Sequence, residues 1–211
     1  MSIGLPGGIY AANVRGDLVF LDARRNEYSC IPRSQAEGLL GPDERRDLDL
    51  VEELEAEGLL TREPGKFARN LSGPPSTAVA DLYDAAVEPP DRMPIFAFVR
   101  AAARMGARMI WQKPRHWLGS GRNGASRSGA EQALTLAHAF SRLSPWVPGS
   151  GRCVPSSILL LEFLKQHGIE ADWVFGVRTY PFEAHCWVEK DGIVLNDSLE
   201  HVRWFTPIAV G

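Results

Sequence analysis

The residues with the most chemical capacity lie in the last third of the chain. Cys153 follows the Pro/Gly-rich turn SPWVPGSG and opens the segment GRCVPSSILLLEFLKQHGIE. Ile158–Leu161, Phe163 and Leu164 are apolar nearly all round, which describes a buried helix that Gly168 ends. Pro155 sits in its first turn, where a missing N–H does no harm. A thiol at a helix start meets free N–H donors and the positive end of the helix dipole. Both favour the reactive thiolate, and the same donors can hold an oxyanion on a substrate carbonyl. An isolated free cysteine is more often just a small buried apolar residue, so Cys153 needs partners.

His185 and Asp197 are the candidates. The sequence PFEAHCWVEKDGIVLND reads as a hairpin, with Ala184, Cys186 and Val188 on one face and Glu183, His185 and Trp187 on the other. A three-residue loop, Lys190-Asp191-Gly192, sets Glu189 opposite Ile193 and His185 opposite Asp197. Their Cβ atoms would then be about 4.5–5.5 Å apart. A two-residue Asp191-Gly192 turn would shift the register by one and put the pair on opposite faces. Cys153, His185 and Asp197 would supply nucleophile, base and orienter. A strand His paired to a strand Asp for structure alone is the plainer reading of those two residues.

Two other assignments fit less well. Cys153, His185, Cys186 and Asp197 as zinc ligands would need adjacent strand residues to face one ion, and no CxxC or HxxxH spacing occurs. Cys186 as nucleophile would lack the helix dipole and would point to the core. His116, His138, His167 and His201 have no comparable neighbourhood and read as ordinary surface or core histidines. No metal and no cofactor is expected.

The elements that must position these residues form two units. Ile9–Val14, Leu18–Asp22 and Glu27–Ile31 read as strands separated by turns. Ser34–Leu40 and Leu48–Glu57 read as helices. Together they make a compact α+β module of winged-helix type over residues 1–62. Residues 63–80 read as linker, because TREPGKFARNLSGPPS shows no periodicity. A second α+β domain spans 81–211. It contains a short helix near Ala78–Val87, helices over Pro94–Gln112 and Ala130–Leu143, and a strand over Trp173–Arg178. The stretch GSGRNGASRSG (119–129) has the composition of a flexible loop or lid.

Charge divides the same way. Residues 1–85 hold 9 Lys+Arg and 15 Asp+Glu, and the remainder holds 14 and 11. Arg92–Arg127 contains eight basic residues and no acidic one, which reads as a solvated helix face or as a docking surface. A net charge of −3 over 211 residues gives no reason to expect nucleic acid as partner. The N-terminus lacks the pattern of a signal peptide and no stretch has the length of a membrane span. A cytoplasmic location, with the three cysteines as reduced thiols, is the expectation.

Taken together the motifs are similar to a known family. Cys153 with Pro155–Leu164 and Gly168, then Gly176-Val177-Arg178, Pro181-Phe182, Ala184-His185, Trp187-Val188-Glu189 and Val194–Asp197, closely resemble the lasso-peptide B proteins over about residues 130–198. That family comprises leader peptidases of lasso-peptide biosynthesis with a papain/transglutaminase-like α+β domain. The resemblance implies catalytic roles for Cys153, His185 and Asp197. Leu18–Asp22, Glu27–Ile31 and Glu57–Leu60 resemble the PqqD-like precursor-recognition domain, which binds a leader peptide as an added strand beside a helix. Tyr28, Cys30, Leu50 and Leu54 are then the expected leader-binding residues. The expected partners are a precursor peptide and an ATP-dependent, asparagine-synthetase-like cyclase. Two alternatives stay open: a non-catalytic leader-binding scaffold for the cyclase, and a transglutaminase-like acyltransferase.

Overall fold

The computed structural model describes residues 3–40, 47–62, 71, 73–84, 90, 92–111 and 129–211. Three antiparallel strands come first, β1 (Ile9–Val14), β2 (Asp17–Asp22) and β3 (Glu27–Ile31), in the order β1-β2-β3. The β1–β2 turn needs positive φ at both central residues, and Arg15 and Gly16 adopt 55° and 106°. The Asn13 side chain accepts from Gly16 N at 2.9 Å and closes it. Helices α1 (Arg33–Leu40) and α2 (Leu48–Ala56) follow, α2 capped by the Asp47 carboxylate on Leu50 N. A three-stranded sheet with short helices is the winged-helix-like arrangement expected.

This sheet is covered on both faces, which is why every residue of β2 is buried. Ile9, Ala11, Leu18, Phe20 and Ile31 pack with Leu39, Val51 and Leu54 of the two helices. Ala12, Val14, Val19, Leu21 and Ala23 face the other way. They join the core of the C-terminal region, alongside Phe163, Phe175 and Ile208. The two sequence units therefore share a continuous apolar core.

The C-terminal sheet has five strands in the order β4-β7-β6-β5-β8, formed by β4 (Ala80–Asp81), β5 (Asp172–Arg178), β6 (Glu183–Lys190), β7 (Ile193–Val194) and β8 (Thr206–Val210). Among the described strands only β4–β7 is parallel. Helices α3 (Ile95–Trp111), α4 (Ala130–Leu143) and α5 (Cys153–Lys165) cover one face. Phe98 meets Phe163 and Phe140 edge-on, with centroids 5.8 and 6.1 Å apart. The short α6 (Leu199–Val202) lies on the other face, where Val202 and Phe205 pack on Val174 and Trp187.

Several expectations need correcting. The helix expected near Ala78–Val87 is strand and turn over its described part. Leu82 N donates to Val194 O at 2.9 Å, and the Asp81 carboxylate takes Tyr83 N at 2.8 Å. A ladder partner far along the chain and an Asp-centred turn outweigh local helix propensity. Elements α6 and β8 were not expected at all. In the basic run, Arg100 binds Gln166 and Arg108 binds Glu162, each at 2.8 Å, so both arginines pin α3 to α5. Lys113, Arg115, Arg122 and Arg127, residues 119–128 of the expected loop, and linker residues 63–70 and 72 lie outside the described residues.

Candidate active site

Helix α5 begins at Cys153, after Arg152 in extended conformation with no side-chain cap. Its first intrahelical donor outside the opening turn is Ser156 N, bonded to Arg152 O at 3.0 Å. Pro155 has no N–H, which leaves those of Cys153 and Val154 at the mouth of the helix. A pocket of about 90 Å³ opens here. Val154, Phe175 and Ala184 line it from one side, and Leu21, Ala23 and Tyr28 of the N-terminal sheet from the other.

The hairpin that carries His185 differs from the sequence expectation in its turn. Lys190 pairs with Ile193, so the loop is the two-residue Asp191-Gly192, with φ of 52° and 82°. Continued regularly, that register would separate His185 from Asp197. It does not continue, because β7 ends at Val194. Leu195 N still donates to Val188 O, but Val188 N donates to the Asn196 side chain at 2.8 Å instead of to a backbone carbonyl. Asn196 Nδ2 donates to Ser157 Oγ of α5 at 3.2 Å. The chain leaves the sheet plane at this point, and Asp197 Oδ2 meets His185 Nε2 at 2.5 Å. The pairing foreseen exists, for a different reason.

The strand's hydrogen-bonding alternation helps the thiol. Lys190, Val188 and Cys186 turn their N–H groups toward β7, and β7 has stopped before it reaches Cys186. The Cys186 N–H instead meets the Cys153 sulfur. Hydrogen bonds from the Cys186 thiol and the His185 ring lower the Cys153 pKa to about 4, against the opposing cost of burial. Burial pulls the His185 pKa down, but the Asp197 carboxylate and the Cys153 thiolate outweigh it and raise the value to about 9. With Nε2 on Asp197, Nδ1 is the ring nitrogen left for Cys153. Both shifts favour a thiolate–imidazolium pair. Cys186, hydrogen-bonded to that thiolate and buried among apolar residues, is driven upward and keeps its proton.

Asp197 has more partners than the sequence suggested. Oδ1 accepts Ser198 N at 2.7 Å, and His201 Nδ1 lies 3.0 and 2.9 Å from the two oxygens. Burial would raise the carboxyl pKa, but His185, the Ser198 N–H and His201 hold it below its usual range. His201 is thus not an ordinary surface histidine. It sits on α6, whose start is fixed by Ser198 and by the buried Asp81, which accepts Leu199 N at 2.7 Å. The Ser198 cap before LEHV was a readable helix signal. His185, Asp197 and His201 place ligand atoms within 4.8 Å of one another, but mutual hydrogen bonds already account for that geometry.

Close packing holds the imidazole. His185 stacks on Trp187, with centroids 6.0 Å apart and planes at 24°, and lies 5.1 Å from the Phe205 ring. Gly176 is opposite His185 on β5. A Cβ there would come within 2.8 Å of both Phe205 and the Trp187 ring.

The four expected leader-binding residues do not share one surface. Tyr28 and Cys30 pair with Leu21 and Val19, on the sheet face that turns toward the C-terminal core. Leu50 packs against the other core and Leu54 is buried in it. On the side of α2, β3 presents Ser29 and Ile31 instead. Edge strand β3 is paired only with β2 among the described residues.

Among known proteins, a segment of 46 residues is 46% identical to the microcin J25-processing protein McjB of Escherichia coli. That segment is 22% of this chain and 22% of the relative. No solved structure gives a significant match. Residues 95–210, more than half of the chain, match the family model of the transglutaminase-like superfamily. A cysteine at a helix start facing a histidine on a strand is the arrangement on which that match falls, and the chain belongs to the transglutaminase-like superfamily.

Proposed function

We propose that this protein is a cysteine peptidase that binds the leader of a ribosomally made lasso-peptide precursor and cuts leader from core before ring closure. The observation that carries the reading is the Cys153–His185–Asp197 constellation at the mouth of a pocket, with thiol and imidazole poised as an ion pair. The likeness to a microcin-processing protein supports the substrate class. Cys153 thiolate attacks the scissile carbonyl, and the N–H groups of the α5 start stabilise the oxyanion. His185 gives its proton to the departing amine. It then takes one from water, which hydrolyses the thioester and releases the leader acid. Asp197 fixes the ring so that Nδ1 faces the sulfur.

In this reading residues 1–62 capture the leader as a fourth strand on the β3 edge, residues 63–80 link, and 81–211 cut. Backbone hydrogen bonds along β3 provide affinity. Ser29, Ile31 and Leu50 line the groove on the α2 side, while Tyr28 and Cys30 line the other face. The freed amine is the substrate of an ATP-dependent, asparagine-synthetase-like cyclase, the expected partner.

The test is a reconstituted reaction with a full-length precursor. Cys153→Ala should abolish release of the leader while leaving precursor binding intact. Unchanged cleavage by Cys153→Ala sinks the enzyme reading and leaves the leader-binding scaffold. A labelled amine appearing on a Gln-containing peptide, in place of hydrolysis, would favour acyl transfer.

A further inference from the structure

The pocket at Cys153 has a wall that the catalytic domain does not supply. Leu21 and Ala23 of β2 and its following turn, and Tyr28 of β3, close it opposite Val154, Phe175 and Ala184. The shared core makes this placement firm, because Leu21 and Ala23 are buried in the same cluster as Phe175 and Cys186. Tyr28 is the exception, a half-buried ring that leans on Phe182 at 5.4 Å and 59°. It packs against the core without being part of it, so its loss changes the pocket more than the fold.

Size and chemistry limit what the pocket accepts. At about 90 Å³ it is smaller than an enclosed cavity of roughly 150 Å³ that holds a benzene ring, and because it is open on one side it favours a compact side chain over a large ring. Its described walls are mostly aliphatic or aromatic, with Asn26 as an uncharged polar side chain, and among the described lining residues His185 is the one charge-bearing side chain beside the thiol. We propose that Tyr28 of the N-terminal sheet is a specificity-determining residue of the cleavage reaction, forming with Leu21 and Ala23 the wall of a subsite that accepts a compact uncharged side chain next to the scissile bond. The inference rests on the cysteine-peptidase reading and extends it. The module that holds the leader also inspects the residue to be cut, so recognition and cleavage meet in one cavity. The phenol is suited to this position. Burial and the neighbouring Cys186 and Cys153 push its pKa up to about 12, so it stays neutral and adds no charge to the subsite.

The experiment uses the full chain and short peptidyl chloromethyl ketones whose side chain beside the reactive carbon is Ala, Val, Leu, Phe or Trp. The rate of Cys153 alkylation is followed by mass spectrometry. The native protein should react with the Val and Leu reagents at least about tenfold faster than with the Trp reagent, a difference of roughly 1.4 kcal/mol. Tyr28→Ala should bring that ratio down severalfold by raising the Trp and Phe rates, and Tyr28→Phe should keep it. Tyr28→Leu serves as the second enlarging variant if Tyr28→Ala does not fold. An unchanged ratio in the enlarging variants, or an equal fall for every reagent, overturns the proposal. Alkylation reads the pocket whether or not a lasso precursor is the substrate. Normal alkylation ratios with no precursor cleavage would count against the proposed function alone.

Discussion

The two halves of the site are held in different ways. On the helix side, Cys153 owes its place to local sequence: a Gly-rich turn, a helix start, Pro155 in the first turn. On the sheet side, His185 and Asp197 meet only because a strand stops early and the Asn196 side chain takes the place of a backbone carbonyl. The helix side would survive many changes elsewhere. The sheet side depends on a chain of contacts through Asn196, Ser198, His201 and Asp81. The placement of the thiol is therefore robust, and the orientation of the imidazole is the vulnerable part.

Removing the charge that orients the base is the strongest way to test this contrast. Asp197→Asn should lower kcat by roughly 10⁴, the scale known for the orienting Asp of serine-protease triads. Alkylation of Cys153 by iodoacetamide should fall far less, because the Cys186 N–H and thiol still favour the thiolate. Equal losses in both assays would erase the distinction between the two sides. His201→Ala should cost about tenfold in kcat with little change in KM, since it takes one of several donors from Asp197. His201→Gln, which keeps a donor, should recover part of the loss. A rise in KM with unchanged kcat would place His201 among substrate contacts instead.

Packing behind the histidine gives the next effect. Gly176→Ala forces a Cβ against Phe205 and Trp187, the rings that hold His185. Overpacking of this kind destabilises by about 1–3 kcal/mol. Asn196→Ala leaves the Val188 N–H without its acceptor and removes the bridge to Ser157 of α5, for a similar cost of about 1–3 kcal/mol. Urea unfolding with unchanged m-values measures both. Asn196→Ala should also reduce kcat beyond what the unfolded fraction explains. Gly176→Ala with full stability would mean that the rings can yield, and that the imidazole is held by Asp197 alone.

These contrasts match what the sequence disclosed. The N-terminal strands and helix α4 were legible to within a residue because their periodicity and turn residues agree with their environment. Cys153 was legible for the same local reason. The His185–Asp197 contact was anticipated through a turn that the protein does not use, since the strand break at Asn196 leaves no periodic signal. Buried Asp81 could not be recognised as a cap for α6, more than a hundred residues away in sequence. The shared core was also invisible. A β2 strand buried on both faces reads as a continuous apolar run in any small sheet, and nothing local says what covers the second face.

The smallest effect isolates the one device common to both sides, Cys186. It reaches the Cys153 sulfur through its N–H and its thiol. The ion pair exists above the Cys153 pKa of about 4 and below the His185 pKa of about 9. The proposed peptidase mechanism requires both charges, so kcat/KM should rise through the first value as pH increases and fall through the second. Outside these limits each pH unit costs about tenfold. Cys186→Ala removes the S–H donor but keeps the backbone N–H. The acid limb should therefore move upward, while the alkaline limb, set largely by Asp197, should move much less. At neutral pH the variant should remain nearly as active as the native protein, because the raised thiol pKa is still lowered by His185. A displaced alkaline limb with an unmoved acid limb would show that Cys186 acts on the imidazole and not on the thiol, leaving His185 and the helix start to lower the thiol pKa.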